Sequence, residues 1–202
     1  YGQLLNATLP FKTDRQVAGY FEGRIYLIGG NNAESNQNTE TNYHWEFDVL
    51  TEKIDAKEDL MIRFFNGAQS YTYSKKFIYF APTAQTAINK IYKYNMRTNE
   101  VIINDAPSLP EKTQHSRTEG IGCVAYNVNT NDIYIIGGYN GSVTSNIIQY
   151  YNIVSGEWKR LPSMKQARMD QTCQYWNDNN ELFVFGGRYY NSDDNTRYYL
   201  KS

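Results

Sequence analysis

The sequence predicts an all-β protein assembled from a repeated four-stranded unit, and three observations carry that expectation. Four short apolar runs recur, Ile25-Tyr26-Leu27-Ile28, Phe77-Ile78-Tyr79-Phe80, Ile133-Tyr134-Ile135-Ile136 and Leu182-Phe183-Val184-Phe185. Their spacing of roughly 50 residues suits one four-stranded sheet per repeat. Three runs end in a double glycine, Gly29-Gly30, Gly137-Gly138 and Gly186-Gly187, and the second has Ala81-Pro82 in that place. Runs of β-branched and aromatic residues bounded by glycine read as strands buried on both faces, and helical spacing is absent. Nineteen tyrosines and 14 glycines in 202 residues agree, because aromatic side chains suit a pleated sheet and glycine supplies turn conformations.

Each unit reads in the same order. An arginine opens it, Arg15, Arg63, Arg117 and Arg168 in turn. A small-residue or alternating first strand follows, such as Gly120-Ile121-Gly122-Cys123-Val124-Ala125-Tyr126. A turn such as Asn129-Thr130-Asn131-Asp132 or Asn177-Asp178-Asn179-Asn180 leads into the apolar run, the second strand. Beyond the glycines comes a polar loop, then a third strand ending in Phe47-Asp48, Tyr94-Asn95 or Tyr151-Asn152. Seven residues past each of these aromatics stands Ile54, Val101 or Trp158, so strands three and four form a hairpin. Leu9-Pro10 precedes Arg15 as Leu109-Pro110 precedes Arg117 and Leu161-Pro162 precedes Arg168. The expected organisation is therefore residues 1–13 as the last strand of a preceding unit and 14–62 as the first repeat. Residues 63–116 form a degenerate second, 117–167 a third, and 168–202 an incomplete fourth with Tyr199 on its third strand. A chain that opens at Tyr1 without a leader is expected to be an excerpt of a longer one.

The double glycine, the aromatic-Asp/Asn pair and the spaced tryptophan together resemble the kelch repeat. The match is fullest over residues 117–164, with Gly137, Gly138, Tyr151 and Trp158. The first unit has Ile54 in place of tryptophan, and the second lacks both tryptophan and glycine pair. The resemblance implies a kelch-type β-propeller, about four blades of four antiparallel strands. Either residues 1–13 complete the last blade of a small ring, or the chain is a segment of a larger, six-bladed propeller, which is the expectation because kelch proteins mostly have six blades. Physical reasoning points the same way. A lone four-stranded sheet cannot bury two apolar faces, so blades must stack on neighbours. The glycines are expected to take positive φ or a close backbone approach, and Trp158 to wedge between adjacent blades.

Composition excludes several classes. Twenty Lys and Arg against 21 Asp and Glu leave a net charge of -1, so no basic field recruits nucleic acid or an acidic membrane. No apolar stretch approaches the roughly 20 residues of a membrane helix, and mean hydropathy is -0.67. His44 and His115 are too few for a metal or triad site, one reading as a packed strand residue and the other as a loop residue. Cys123 and Cys173 read as small buried residues on the first strands of units three and four, with no disulfide expected. No P-loop, G-x-S-x-G elbow, H-E-x-x-H or calcium-loop spacing occurs, and Asn191-Ser192-Asp193-Asp194-Asn195 reads as a solvated loop. Asn6 and Asn140 match a glycosylation pattern that an asparagine-rich chain produces by chance.

Arg15, Arg63, Arg117 and Arg168 are the candidate partner-binding residues. The resemblance puts them at the channel rim, where arginines of kelch adaptors hold acidic peptide motifs; their other reading is as caps on carboxylates or loop carbonyls. The expected function is a non-catalytic protein-interaction scaffold without cofactor. From the resemblance it would be cytoplasmic, with a ubiquitin-ligase adaptor, cytoskeletal or ciliary role. The alternative is a carbohydrate-active or metal-dependent propeller enzyme completed by residues outside this chain.

Overall fold

The computed structural model describes residues 7–10, 12–14, 16–32, 39–63, 71–80, 90–102, 121–139, 143–191 and 196–199, and these are strands and turns with no helix among them. After the short β1 (Thr13–Asp14), the first sheet runs β2 (Val17–Phe21), β3 (Arg24–Ile28), β6 (His44–Asp48) and β7 (Lys53–Ala56). Between its second and third strands β4 (Asn31–Asn32) and β5 (Thr39–Glu40) make a hairpin, which β1 joins through β4. The second sheet runs β8 (Tyr71–Ser74), β9 (Phe77–Phe80), β10 (Tyr92–Asn95) and β11 (Glu100–Ile102). The third runs β12 (Ile121–Asn127), β13 (Asp132–Gly138), β14 (Ile148–Asn152) and β15 (Glu157–Leu161). Then β16 (Thr172–Trp176) pairs with β17 (Glu181–Phe185), and β18 (Arg188–Asn191) with β19 (Thr196–Tyr199). Among the described residues every pairing is antiparallel, and within each blade the strands pair in chain order, the β4–β5 hairpin being an insertion between β3 and β6, as a propeller blade requires.

The register shows why the repeat has the residues it has. Tyr20, Ile25, Phe47 and Ile54 lie side by side across the first sheet. Tyr73, Ile78, Tyr94 and Val101 do so in the second, and Tyr126, Ile133, Tyr151 and Trp158 in the third. Tyr175 and Leu182 begin the same rung in the fourth. Residues sharing a rung share a face, and this face looks back at the preceding blade. Tyr94 and Ile78 pack with Tyr26 and Ile28 of the first sheet. Ile133 packs with Tyr79 and Ile91 of the second, flanked by Tyr126, Tyr151 and Trp158. Tyr175, Leu182 and Val184 join Tyr134 and Ile136 of the third. The neighbouring residues of each apolar run point the other way, toward the next blade. A run buried on both faces is thus divided between two junctions.

This pairing shifts the second unit by one residue. Ile78, not Phe77, matches Ile25, Ile133 and Leu182. The glycine places therefore fall at Pro82 and Thr83 rather than Ala81-Pro82, and these lie outside the described residues. Tyr199 also moves. It pairs with Arg188, so β18–β19 is the counterpart of the β4–β5 hairpin, and Tyr199 is not on a third blade strand. Of residues 1–13, positions 1–6 and 11 lie outside the described residues, and the described remainder is strand only at Thr13.

All six glycines of the pairs have positive φ, between 60° at Gly186 and 105° at Gly138. At Gly137 a Cβ would also lie 2.5 Å from the Arg168 carbonyl oxygen, so conformation and close approach act together. The aromatic-Asp/Asn pair divides its labour. The aromatic occupies the rung, while Asp48 Oδ1 accepts the N–H groups of Leu50 and Thr51, and Asn152 Oδ1 those of Val154 and Ser155. These Asx turns close the hairpins. Bonds from backbone N–H groups, Thr51 first, also hold the Asp48 carboxyl below its ordinary pKa.

Cys123 and Cys173, expected to be unlinked, form a disulfide between β12 and β16 with Cα atoms 5.7 Å apart. Cys123 pairs with Ile136 but Cys173 with Val184. They therefore sit one position apart in the repeat, and one position reverses the face of a strand. Cys123 faces forward and Cys173 backward across one junction, which a same-place reading conceals. Reduction of this bond across 50 residues is expected to lower unfolding free energy by about 2–4 kcal/mol. Denaturant titrations with and without reductant check it, and superimposable curves would show the sulfurs contribute no link. Trp158 is half-buried, 5.4 Å from the Tyr151 ring and against the second sheet's Tyr79 and Ile91. Trp158→Ala should cost about 3 kcal/mol, the low end for a large aromatic truncation, measured in the same titration; a loss below about 1 kcal/mol would place the indole outside the junction.

Candidate functional site

The two ends of the blades differ in how completely their polar groups are used. At the end formed by the turns after first and third strands, asparagines and tyrosines close on each other. Asn99, Asn131 and Asn180 have φ near 60°, and their Oδ1 atoms accept the hydroxyls of Tyr94, Tyr126 and Tyr175 at 3.1, 2.8 and 2.6 Å. Asn tolerates this left-handed conformation better than other non-glycine residues. The opposite end carries the double glycines and the hairpins β4–β5 and β18–β19. There Thr13 Oγ1, Gln16 Nε2 and Gln171 Oε1 are buried without a hydrogen-bond partner. Gln16 and Gln171 hold the same place in their repeats, one residue before the first strand. Buried polar groups are nearly always paired in a folded protein, so the double-glycine end is where polar groups of the described residues are incompletely used.

That end is held rigid from beneath. The carbonyl of Arg168 accepts the N–H of Gly138 at 2.8 Å, and its own N–H donates to Ser145 at 3.0 Å. Its Nη1 donates to the Gly186 carbonyl at 2.6 Å. Gln171 Nε2 donates to the Ile136 carbonyl at 2.7 Å. Arg188 pairs with Asp170, and Tyr139 meets Tyr190 edge-on at 5.6 Å. Asn42 and Asn146 repeat one clamp: each donates Nδ2 at 3.2 Å to the carbonyl of Leu60 or Met164 and accepts that residue's N–H.

Of the predicted arginines, Arg15 and Arg117 lie outside the described residues. Arg63 is exposed, three positions beyond buried Leu60. Arg168 is half-buried and acts as a cap on a loop carbonyl. The four stand five, ten, nine and seven residues before Tyr20, Tyr73, Tyr126 and Tyr175. The register therefore does not make them one repeated position. Gln16 and Gln171 were missed because a lone glutamine has no motif; their signal, a fixed distance ahead of a first-strand tyrosine, emerges only once the strands are paired.

A second polar cluster, also missed, lies within the junction of the first two sheets. Glu46, 4% exposed, accepts Arg24 Nη1 at 2.9 Å and Asn99 Nδ2 at 3.0 Å, with Lys57 Nζ at 3.2 Å. His44 is buried with Nε2 2.7 Å from Tyr94 Oη. Its partners are spent on one another, which fits a structural tie between blades. Among the described residues no group of three or more His, Cys, Asp or Glu is placed to hold a metal ion, and no helix is long and apolar enough to cross a membrane.

Burial lowers the His44 pKa below its ordinary value, against the opposing pull of the Glu46 carboxylate. The unfolded chain thus binds the proton more readily. Stability is complete above about pH 6.5 and declines as pH falls below it, levelling off beneath the native pKa. Chemical denaturation at pH 7.5, 6.0 and 5.0 checks this: the fall should be shallower in His44→Gln than in the parent, and equal slopes would remove His44 from the effect.

A kelch-motif family model matches residues 122–165. Over 64 residues the chain is 39% identical to the horsepox virus "Kelch repeat and BTB domain-containing protein 1", covering 30% of this chain and 11% of that protein. The "Kelch repeat and BTB domain-containing protein A55" of vaccinia virus (strain Western Reserve) matches with the same identity and coverage. The chain thus spans about a tenth of the length of the curated relatives it matches. The solved structure of YjhT superposes with a TM-score of 0.66 at 12% identity, over 91% of this chain and 62% of that one.

Proposed function

Because this chain belongs to the kelch-repeat family and its strands form propeller blades, we propose that it is a non-catalytic scaffold that binds a protein partner through its double-glycine end. The observation that carries the reading is the contrast between the two ends. Donors and acceptors are consumed within the turns at one, while Thr13, Gln16 and Gln171 keep buried polar atoms unpaired at the other. Exposed Arg63 and half-exposed Val143, on the loop after β13, supply charge and apolar surface to a partner. Loops on a rigid scaffold are the usual place for recognition.

A ubiquitin-ligase adaptor role is the most specific form of the proposal, supported by relatives whose names join kelch repeats to a BTB domain; cytoskeletal and ciliary roles are less supported. A cytoplasmic location follows only from the resemblance, whereas disulfides such as Cys123–Cys173 persist mainly in oxidising compartments. Alkylating thiols in intact cells before lysis decides between them. The binding reading is tested by proximity labelling with parent, Arg63→Glu and Arg117→Glu chains. The variants should lose a set of labelled proteins while melting within a degree or two of the parent. Identical sets from all three chains would refute a rim role for the arginines, and a lowered melting point would make them structural.

A further inference from the structure

A cleft of about 360 Å³ opens between the segment that leaves β7 and β11, the edge strand of the second sheet. Residues 58–61 form one wall and 99–102 the other. Both walls are held from behind. The Asn99 side chain is spent on Tyr94 and Glu46, the Leu60 backbone on Asn42, and the Lys57 N–H on the His44 carbonyl at 2.8 Å. The lining is of two kinds. Met61, 90% exposed, and half-buried Val101 and Ile102 are apolar, whereas Glu58, Asp59 and Glu100 are exposed carboxylates. Among the described residues none of these three has an ion-pair partner. Lys57, their neighbour in the chain, is turned onto Glu46 at 3.2 Å.

The repeat does not account for this lining. By the shared Asn42 and Asn146 clamps Leu60 corresponds to Met164, so the third unit has Pro162, Ser163 and Lys165 where the first has Glu58, Asp59 and Met61. By the rungs, Lys159 stands where β11 has Ile102. Blade geometry therefore does not require three carboxylates beside an exposed methionine. Among the described residues β11 borders only β10, so alternate N–H and C=O groups of its outer edge face away from the sheet. Such an edge can accept an added strand, whose main chain supplies affinity and whose alternate side chains supply specificity. We propose that the cleft docks a short extended segment of a partner protein, laid as a strand along β11, with a lysine or arginine among Glu58, Asp59 and Glu100 and an apolar side chain against Met61. Charge complementarity selects a cationic occupant, and the open backbone edge selects a peptide over a free cation. A volume at the lower end of ligand pockets selects a short segment over a folded domain. The same carboxylates repel nucleic acid and anionic membranes. The inference does not depend on the partner-binding reading of the double-glycine end.

Fluorescence anisotropy of labelled peptides with the whole protein tests it. The probe is a pool of short capped peptides in which apolar residues alternate with lysine or arginine. One comparison pool has glutamate in the cationic places, and another keeps the cations but has alternate backbone amides N-methylated. Glu58→Lys combined with Asp59→Lys reverses two exposed charges, and Glu157→Lys, at the place of Glu100 in the third sheet, is the control. The cationic pool should bind the parent and the Glu157→Lys chain alike and the doubly substituted chain about tenfold more weakly or worse, while neither comparison pool binds. Met61→Ser leaves the charges intact and supplies a second readout, which should also show weakened binding. No binding to the parent, or equal binding to the parent and the doubly substituted chain, would overturn the proposal. Undiminished binding of the N-methylated pool would overturn strand addition in favour of a general cation site.

Discussion

Blade-on-blade burial is the constraint from which the rest of this structure follows. A four-stranded sheet with rows such as Ile133-Tyr134-Ile135-Ile136 has no polar face to show water, and every other side chain along the row belongs to a different interface. No single blade is therefore a stable unit, because half of its apolar surface is hidden only by its neighbour. The aromatic stacks Tyr79–Tyr126 and Tyr134–Tyr175 set the offset between blades. Gly19 shows how tightly: a Cβ there would lie 2.7 Å from Ile78 of the next sheet. The covalent bond between Cys123 and Cys173 lies in the same layer and ties two first strands that already touch.

Around that apolar layer the polar residues work as closures. The Asp or Asn after each third-strand aromatic nucleates the outer hairpin, and the left-handed asparagines of the turns receive tyrosine hydroxyls. Much of the tyrosine and asparagine excess thereby acquires a structural purpose, with the ring in a junction and the hydroxyl in a turn. Where this closure is incomplete, at the double-glycine end, the molecule has both rigidity and unspent polar groups. That combination favours recognition there, since a preorganised surface loses little on binding.

The strand order, the rung of Phe47, Tyr94 and Tyr151 with Ile54, Val101 and Trp158, and the positive φ of the glycines were all legible in the sequence. Each is a local consequence of residue type at a short spacing. The errors were errors of register. The second unit slipped by one residue because it lacks the glycine pair that anchors the others. By residue type and spacing the cysteines share a place, but a single-residue offset in pairing turns them face to face. Tyr199 read as a blade strand, because a hairpin arm and a blade strand have the same composition. At the candidate site the arginines stood out as a repeated residue type, but repetition in type is not repetition in position, and Arg168 proved to be a cap.

The sequence by itself determined that this chain is a series of short antiparallel strands in units of about fifty residues, because hydrophobic period, turn chemistry and glycine conformation act over a few neighbouring residues. Only the tertiary structure decided which face of each strand looks forward and which back. Side-chain direction alternates with every residue, so it depends on pairing partners some 20 to 50 positions away. That decision joins Cys123 to Cys173, stacks Tyr134 on Tyr175, and buries Glu46 among Arg24, Lys57 and Asn99.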